Sequence, residues 1–153
     1  MNYRYAVWRN TFLCYDQKGE VRAYLHELPL EILSIKQRGK KVIFTGRYMW
    51  PGIPPEMTVF LRASGKKIYP ETVKKDKAGT LFTYTWNITE KPVKFRAFLE
   101  YSYMTAVIPV RLSKTVKKNI RTGVSISEDR LVLWSRSLLK SLKNHIPSAL
   151  IRR

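Results

Sequence analysis

Acidic residues are scarce in this chain of 153 residues: aspartate and glutamate number 11, whereas lysine and arginine number 29, which leaves a net charge of +18. The few carboxylates are scattered, and the adjacent pair Glu128 and Asp129 fits a turn between two short strands better than an acid–base site. A positive surplus of this size predicts acidic surroundings, which are nucleic acid, anionic lipid or an anionic polymer. A basic surface kept only for solubility is the alternative.

Cysteine and histidine are nearly absent as well. Cys14 is the only cysteine, which excludes an internal disulfide, and His26 and His145 lie too far apart for a zinc-ligand set of the usual spacing. A nucleophilic pair of Cys14 with a histidine stays open, but a strand pattern around Cys14 favours a half-buried structural thiol. Ser64-Gly65-Lys66-Lys67 lacks the upstream glycine of a phosphate-binding loop. We therefore predict no catalytic residues, no metal site and no cofactor.

No apolar run approaches the roughly 20 residues that a membrane-spanning helix requires. The longest, Ala106–Val110, has the length of a strand and contains Pro109. The first ten residues contain no apolar core of a secretory leader. We expect a cytoplasmic protein, with peripheral attachment to the inner face of the membrane as the finer expectation.

Hydrophobic residues recur with a period of two along most of the chain. The clearest alternations, rich in β-branched and aromatic side chains, lie in residues 42–48, 57–62, 81–88, 93–100 and 106–112. Turn residues separate these runs, among them Asp16-Gln17-Lys18-Gly19. Short strands at this spacing predict a mainly β fold of two antiparallel sheets packed as a sandwich, with an open barrel as the alternative.

The C-terminal end has a different pattern. Ser135 fits the N-cap of a helix over Arg136–His145, which Pro147 would end. We therefore divide the chain into a β domain, residues 1–134, and a basic amphipathic helix and tail, residues 135–153. The apolar strip and its basic flanks are expected to contact the open end of the β domain, an anionic membrane or a partner domain; they comprise Leu138, Leu139 and Leu142, with Arg136, Lys140 and Lys143.

Basic residues cluster beside four predicted turns. The candidate anion-binding residues are Arg38, Lys40 and Lys41; Lys66 and Lys67; Lys74, Lys75 and Lys77; and Lys114, Lys117 and Lys118. They form one anion-binding rim if the loop tips converge at one end of the domain, and lysine suits diffuse attraction better than base readout. The alternative is a set of solubilised loop tips and lysine-guarded edge strands.

Trp50 is the aromatic residue whose position departs from core spacing, because Trp50-Pro51-Gly52 lies in a predicted loop. A tryptophan in a loop is a candidate for stacking on a sugar or a base. Packing over the end of a sheet is the alternative interpretation.

The order of the predicted strands also resembles a known family. The segments are VIFTGRY (42–48) before a proline-rich loop, VFLR (59–62), FTY (82–84), VKF (93–95) and RLVL (130–133) before a helix rich in leucine, lysine and arginine. This order resembles the immunoglobulin-like β-sandwich region upstream of the catalytic half in bacterial CDP-glycerol and CDP-ribitol glycerophosphotransferases, which polymerise teichoic acids. The resemblance implies an accessory module that positions an anionic polymer or a membrane, and it transfers no catalytic residue.

Three functional hypotheses follow. The first is a non-catalytic β module of cell-wall polymer synthesis, which binds an anionic polymer, a membrane surface or a glycerophosphotransferase catalytic domain. The second is a nucleic-acid-binding β domain, which predicts aromatic residues beside basic ones on an exposed sheet face; the candidates are Phe60 and Phe98. The third is an enzyme fragment whose partner chain supplies the chemistry.

Overall fold

A computed structural model of the chain describes residues 4–8, 11–50, 53–102, 104–117 and 120–136. These residues are mainly β, as the sequence predicts, and a short 3₁₀ helix at Leu25–Glu27 is the helical element among them. The strands are β1 (Arg4–Trp8), β2 (Thr11–Tyr15), β3 (Val21–Tyr24), β4 (Leu30–Arg38), β5 (Lys41–Tyr48), β6 (Met57–Ala63), β7 (Lys66–Ile68), β8 (Thr72–Asp76), β9 (Gly79–Asn87), β10 (Val93–Tyr101), β11 (Met104–Ile108), β12 (Val110–Leu112), β13 (Thr122–Ser127) and β14 (Arg130–Ser135).

The strands form two larger sheets and one small one. The first sheet has the order β12-β4-β5-β9-β8, and the second has the order β13-β14-β10-β6-β7, with β11 also paired to β10. The small N-terminal sheet has the order β1-β2-β3. Neighbouring strands are antiparallel, except that β12 runs parallel to β4. Among the residues that the structure describes, no helix has the length and apolar character that crossing a bilayer requires.

The inward faces of the two larger sheets meet in one hydrophobic cluster. Phe44 of β5 contacts Phe95 of β10 edge-on, with ring centroids 5.5 Å apart, and Trp86 of β9 contacts the same ring at 5.4 Å. The buried Tyr84 hydroxyl of β9 donates a 2.6 Å hydrogen bond to the backbone oxygen of Val59 in β6. The period-two alternation therefore identifies inward residues correctly, because each strand places alternate side chains on opposite faces.

Pro109 divides a run that reads as one alternation in the sequence. Residues 106–112 belong to two strands in different sheets, β11 in the second and β12 in the first. Proline has no N–H to donate to a ladder, so a strand is readily interrupted there. The Pro109 oxygen accepts a 2.9 Å bond from the Leu30 amide, and the Val110 amide donates to the Asp129 oxygen at 2.9 Å. The chain thus passes from one sheet to the other at this residue.

The hairpin turn predicted at Asp16–Gly19 is confirmed between β2 and β3. The Asp16 carboxylate accepts bonds from the amides of Lys18, at 2.9 Å, and Glu20, at 3.0 Å, and it pairs with Arg22 at 2.8 Å. Desolvation alone would raise the pKa of Asp16, but the two amides and the guanidinium lower it below its usual value. One of the few acidic residues is therefore used to hold a turn.

The predicted C-terminal helix lies outside the described residues, apart from Arg136 at its start. Ser135, predicted to cap that helix, is the last residue of β14. The Arg136 amide donates to the Arg121 oxygen at 2.7 Å, and the Arg136 guanidinium lies 5.9 Å from the centre of the Trp134 ring. Residues Leu138, Leu139, Lys140, Leu142 and Lys143 are not described.

Candidate anion-binding site

Basic residues from neighbouring strands lie side by side on the outward face of the second sheet. Arg62 of β6 is directly opposite Lys67 of β7 on one side and Arg96 of β10 on the other. Arg130 of β14 continues this line, because its neighbour Leu131 pairs with the residue preceding Arg96. Directly opposite residues of paired strands share one face. We call Lys67, Arg62, Arg96 and Arg130 the basic row, which crosses four strands over about 14 Å.

The basic row borders a shallow depression of about 300 Å³. Polar and basic residues that line it are Arg62, Ser64, Gly65, Lys94, Arg96 and Arg130. Ser64 and Gly65 form the β6–β7 turn with φ values of 51° and 74°, the conformation that a two-residue hairpin turn of type I′ requires. The turn thus brings backbone beside four cationic side chains, which suits an anion.

Within the described part of the chain, no carboxylate forms an ion pair with the basic row. The ion pairs found there join Arg22 to Asp16 and Glu20, and Arg47 to Asp76. Glu100, on the same face of β10, instead accepts hydrogen bonds from the Tyr69 hydroxyl at 3.1 and 3.3 Å. The Arg130 Nε atom is buried and has no hydrogen-bond partner among the described residues.

A row of aromatic side chains lies next to the basic row. Phe60 stacks on Phe98 of β10 at 5.2 Å with an interplanar angle of 10°, and it contacts Tyr69 at 5.2 Å. Lys67 places its ammonium 5.2 Å from the centre of the Phe60 ring. Phe60 is only 2% exposed, whereas Tyr69 is 48% exposed. Of the two aromatic residues predicted for this face, Phe60 is covered and Phe98 is half-buried. Tyr69, which the sequence did not single out, is the exposed aromatic residue beside them.

The loop clusters predicted from the sequence do not all converge. Arg38, Lys40 and Lys41 lie at the β4–β5 turn, and Lys77 lies at the β8–β9 turn. Lys41 pairs with Asn87, the last residue of β9. The first residues of β9 pair with Tyr48 of β5 and with Asp76 at the end of β8. These two turns are therefore at opposite ends of the first sheet, roughly 23 Å apart along a strand. Lys74 and Lys75 are exposed on β8, the edge strand of that sheet.

The remaining predicted lysines are divided between different surroundings. Lys67 belongs to the basic row, and Lys66 is exposed beside it on β7. Lys114 is exposed in the turn that follows β12, and Lys117 lines a different cavity, beside β4. Lys118 lies outside the described residues. Of the predicted lysines, Lys67 is thus the one that joins the basic row, beside Arg62, which the loop pattern did not single out.

Trp50 has a packing role in the structure. Its side chain is partly buried against the hydrophobic cluster, and its indole N–H donates to the Tyr5 hydroxyl at 3.3 Å. The Trp50 backbone oxygen accepts a bond from the Thr80 hydroxyl at 3.4 Å. These contacts support the interpretation of Trp50 as a residue that packs over the end of a sheet.

Cys14 is fully buried in the hydrophobic cluster. Desolvation raises the pKa of its thiol to about 11, so the nucleophilic thiolate is disfavoured at neutral pH. His26 is half-buried, with its ring 6.1 Å from that of Tyr24, and His145 is not among the described residues. The described residues contain no group of three or more histidine, cysteine, aspartate or glutamate side chains placed to hold a metal ion.

The basic row was missed at the level of sequence because its members are far apart in the chain. Each arginine appears there as an ordinary polar residue on the outward side of a strand. Only the strand order and register place Arg62 and Arg96 opposite one another.

Comparison of the chain with models of known protein families gives no match, and comparison with curated protein sequences gives no significant match.

Proposed function

We propose that the protein is a non-catalytic basic β module that binds a linear phosphate polymer through the basic row. The observation that carries this proposal is the placement of Lys67, Arg62, Arg96 and Arg130 side by side without a neutralising carboxylate among the described residues. Such a line of cations releases counterions from a polyanion that lies along it, which makes binding favourable and strongly dependent on salt.

We also propose that the two larger sheets pack as an immunoglobulin-like sandwich. An immunoglobulin-like sandwich would bury the inward faces of the two larger sheets against each other. The contact of Phe44 with Phe95 and the hydrogen bond from Tyr84 to Val59 support it, because both join strands of different sheets. In that arrangement the basic row lies on the outward face of the second sheet, with Lys67 and Arg62 exposed and Arg96 and Arg130 partly buried.

The polymer class rests on the resemblance to the accessory region of glycerophosphotransferases. A poly(glycerol phosphate) chain carries one negative charge per repeat and presents no base or aromatic group. The basic row offers one cation from each of four neighbouring strands, and such cations attract the successive phosphates of a chain of this kind. We therefore place the module in teichoic-acid-type synthesis, beside a transferase domain at the inner face of the membrane.

Absence of catalysis is proposed on the chemistry of the candidate nucleophile. The Cys14 thiol is buried, and its pKa of about 11 keeps it protonated at neutral pH. Two of the described carboxylates, Asp16 and Asp76, are bound to Arg22 and Arg47. Each of these groups has a structural role that competes with a role in acid–base chemistry.

A nucleic-acid-binding function is the second candidate, and a specific observation favours it. Tyr69 and Phe98 lie beside the basic row, and aromatic faces next to cations form the usual platform for single-stranded nucleic acid. Stacking of this kind contributes about 1–3 kcal/mol per base. The aromatic row is not required for poly(glycerol phosphate), so it distinguishes the two ligands.

The test compares a variant of the basic row with a variant of the edge-strand cluster. We expect Arg62→Gln with Arg96→Gln to weaken binding to poly(glycerol phosphate) and to lower the slope of log affinity against log salt by about 1.4–1.8. Lys74→Gln with Lys75→Gln removes the same charge from β8 and should leave most of the affinity. The measurement is a salt titration of binding by fluorescence anisotropy.

Each alternative has its own result in the same titration. Loss of affinity only in the β8 variant would contradict the basic row and support the predicted loop cluster. A loss of oligonucleotide binding in Phe98→Ala, with unchanged affinity for poly(glycerol phosphate), would identify nucleic acid as the stacked ligand. Equal weak binding of all polyanions by both charge variants would reject a defined site.

A further inference from the structure

A second cavity lies along β4 of the first sheet. It has a volume of about 690 Å³, within the range of binding pockets, and its lining is largely apolar. The residues that form its walls include Leu33, Ile35, Gln37, Thr115, Ile120 and Arg121. We call this cavity the β4 groove.

The β4 groove is open because β4 is only partly covered. On its outer side, β12 pairs with Leu30–Ile32 and then ends. The Ser113 amide donates one further bond to the Ile32 oxygen at 2.9 Å. The ladder between β4 and β5 shifts register between Ile32 and Ser34, so Leu33 is the extra residue of a bulge. Beyond Ile32, the outer edge of β4 has no neighbouring strand among the described residues.

The chain leaves the described region at the wall of this groove. The Gln37 side-chain amide donates a 2.8 Å bond to the Ser135 hydroxyl, and the Arg136 amide donates a 2.7 Å bond to the Arg121 oxygen. Gln37 and Arg121 both line the groove. The end of β14 is therefore fixed beside the cavity by hydrogen bonds on both sides.

The residues that follow Arg136 include an apolar strip that could fill this cavity. Leu138 comes two residues after Arg136, and two extended residues reach at most about 7 Å. Leu139 and Leu142 share the face of Leu138 at helical spacing, whereas Lys140 does not. A helix of this length is marginal in water by itself, so its strip requires a partner surface.

We propose that the C-terminal segment, residues 137–153, docks its apolar strip in the β4 groove of the same chain. The groove also carries Lys36, Lys117 and Arg121, and the segment is itself basic. Charge therefore opposes the contact, and the burial of leucine side chains drives it. Salt should strengthen this docking by screening the repulsion, which is the opposite of its effect on polyanion binding.

The first test uses two full-length variants that introduce the same side chain at neighbouring positions. Leu139→Ser removes a residue of the strip, and Lys140→Ser is the control. We expect the melting temperature of Leu139→Ser to fall by about 2–4 °C relative to the native chain, since a loss near 1 kcal/mol shifts the melting temperature of a domain of this size by that amount. The melting temperature of Lys140→Ser should be unchanged or higher. Equal melting of the two variants would overturn the proposal.

The second test measures proximity. Leu33→Cys is combined with Leu139→Cys or, as a control, with Lys140→Cys, and disulfide formation is followed by mass spectrometry under mild oxidation. Buried Cys14 is not expected to compete. Faster intramolecular bridging in the Leu139 pair supports docking. Equal rates in the two pairs would contradict it, as would bridges that join two chains, which would indicate a second copy in the groove.

Loss of binding to anionic vesicles in Leu139→Ser with unchanged melting would show that the strip enters a membrane instead.

Discussion

The outward faces of the two larger sheets follow the same alternation but differ in how their arginines are paired. On the first sheet, Thr45 and Thr83 lie on adjacent strands with their hydroxyls 3.3 Å apart, and Arg47 is paired with Asp76 at 3.2 Å. On the second sheet, Arg62 lies directly opposite Arg96, and no described carboxylate is within ion-pair distance of either.

This difference separates what the fold requires from what it does not. A strand needs polar side chains on its outward face, and threonine meets that need at no electrostatic cost. Like charges placed directly opposite each other destabilise a sheet by roughly 0.2–1 kcal/mol per pair. A sequence that retains them departs from local consistency, and such departures are expected at functional sites. The first sheet has one such pair as well, Arg38 opposite Lys41 beside the β4–β5 turn, whereas on the second sheet Arg62 has a basic residue opposite it on both sides. The difference favours the second sheet as the surface to test for anion binding.

The largest expected effect on stability comes from a substitution on the inward face of β10, compared with one on its outward face. Phe95 of β10 is fully buried and contacts Phe44 and Trp86 of the first sheet. We expect Phe95→Ala to lower the free energy of unfolding by about 3–5 kcal/mol. Phe98→Ala, three residues along on the outward face, should cost less than half as much. Urea denaturation measures both, and equal losses would mean that the two faces of β10 are assigned incorrectly.

The inward faces were largely predictable from the sequence, and the outward ones were not. Alternation alone identifies Phe44, Phe82, Tyr84 and Phe95 as core residues, because the period of two is a property of each strand by itself. The edge strands β7 and β8 carry several lysines and no clear apolar alternation, so they were missed. Edge strands bury little, and their sequence therefore carries little signal.

The candidate site was less predictable because it depends on register. The turn lysines were recognisable as clusters in the sequence, yet the turns at Arg38–Lys41 and at Asp76–Gly79 fall at opposite ends of one sheet. The arginines of the basic row come from three segments more than 30 residues apart. Their meeting is set by long-range pairing of β6, β10 and β14, which local patterns do not encode.

The next largest effect concerns a titratable group on the inward side. Burial raises the pKa of Cys14 from 9.0 to about 11. Above pH 9 the unfolded chain therefore releases a proton that the folded protein retains, and stability is lost as the pH rises toward 11. We expect a loss of about 1.4 kcal/mol per pH unit from this group across that window. Urea denaturation between pH 8 and pH 10.5 should give a shallower decline for Cys14→Ala. A parallel decline in the variant would assign the effect to other groups, of which the buried Tyr84 hydroxyl, with its raised pKa, is the first to test.

A smaller effect compares two turns of the second sheet. The β6–β7 turn places Gly65 at a positive φ of 74°, whereas the β13–β14 turn places Glu128 and Asp129 at 52° and 62°. Glycine, asparagine and aspartate tolerate that region best, and a residue such as glutamate is strained there. We expect Glu128→Asn with Asp129→Gly to raise the free energy of unfolding by roughly 1 kcal/mol. Calorimetry should show the rise, and Ser64→Asn, at a turn that already contains glycine, should change the melting temperature much less.

The smallest effect is the most direct test of the comparison, because it predicts opposite signs for the same substitution on the two sheets. Arg47→Gln removes the pair with Asp76, whose side chains are 26% and 35% exposed, and it should cost up to about 1 kcal/mol. Arg96→Gln removes repulsion from Arg62 and should stabilise the fold by about 0.2–1 kcal/mol, while glutamine keeps part of the aliphatic stem that covers the sheet. Both changes should shrink at high salt, since screening weakens attraction and repulsion alike. Chemical denaturation at 0.05 M and 1 M salt resolves the four values. Destabilisation by Arg96→Gln at low salt would mean that another interaction already balances the charge of this arginine in the free protein. That result would contradict the proposal that the basic row is an anion-binding site.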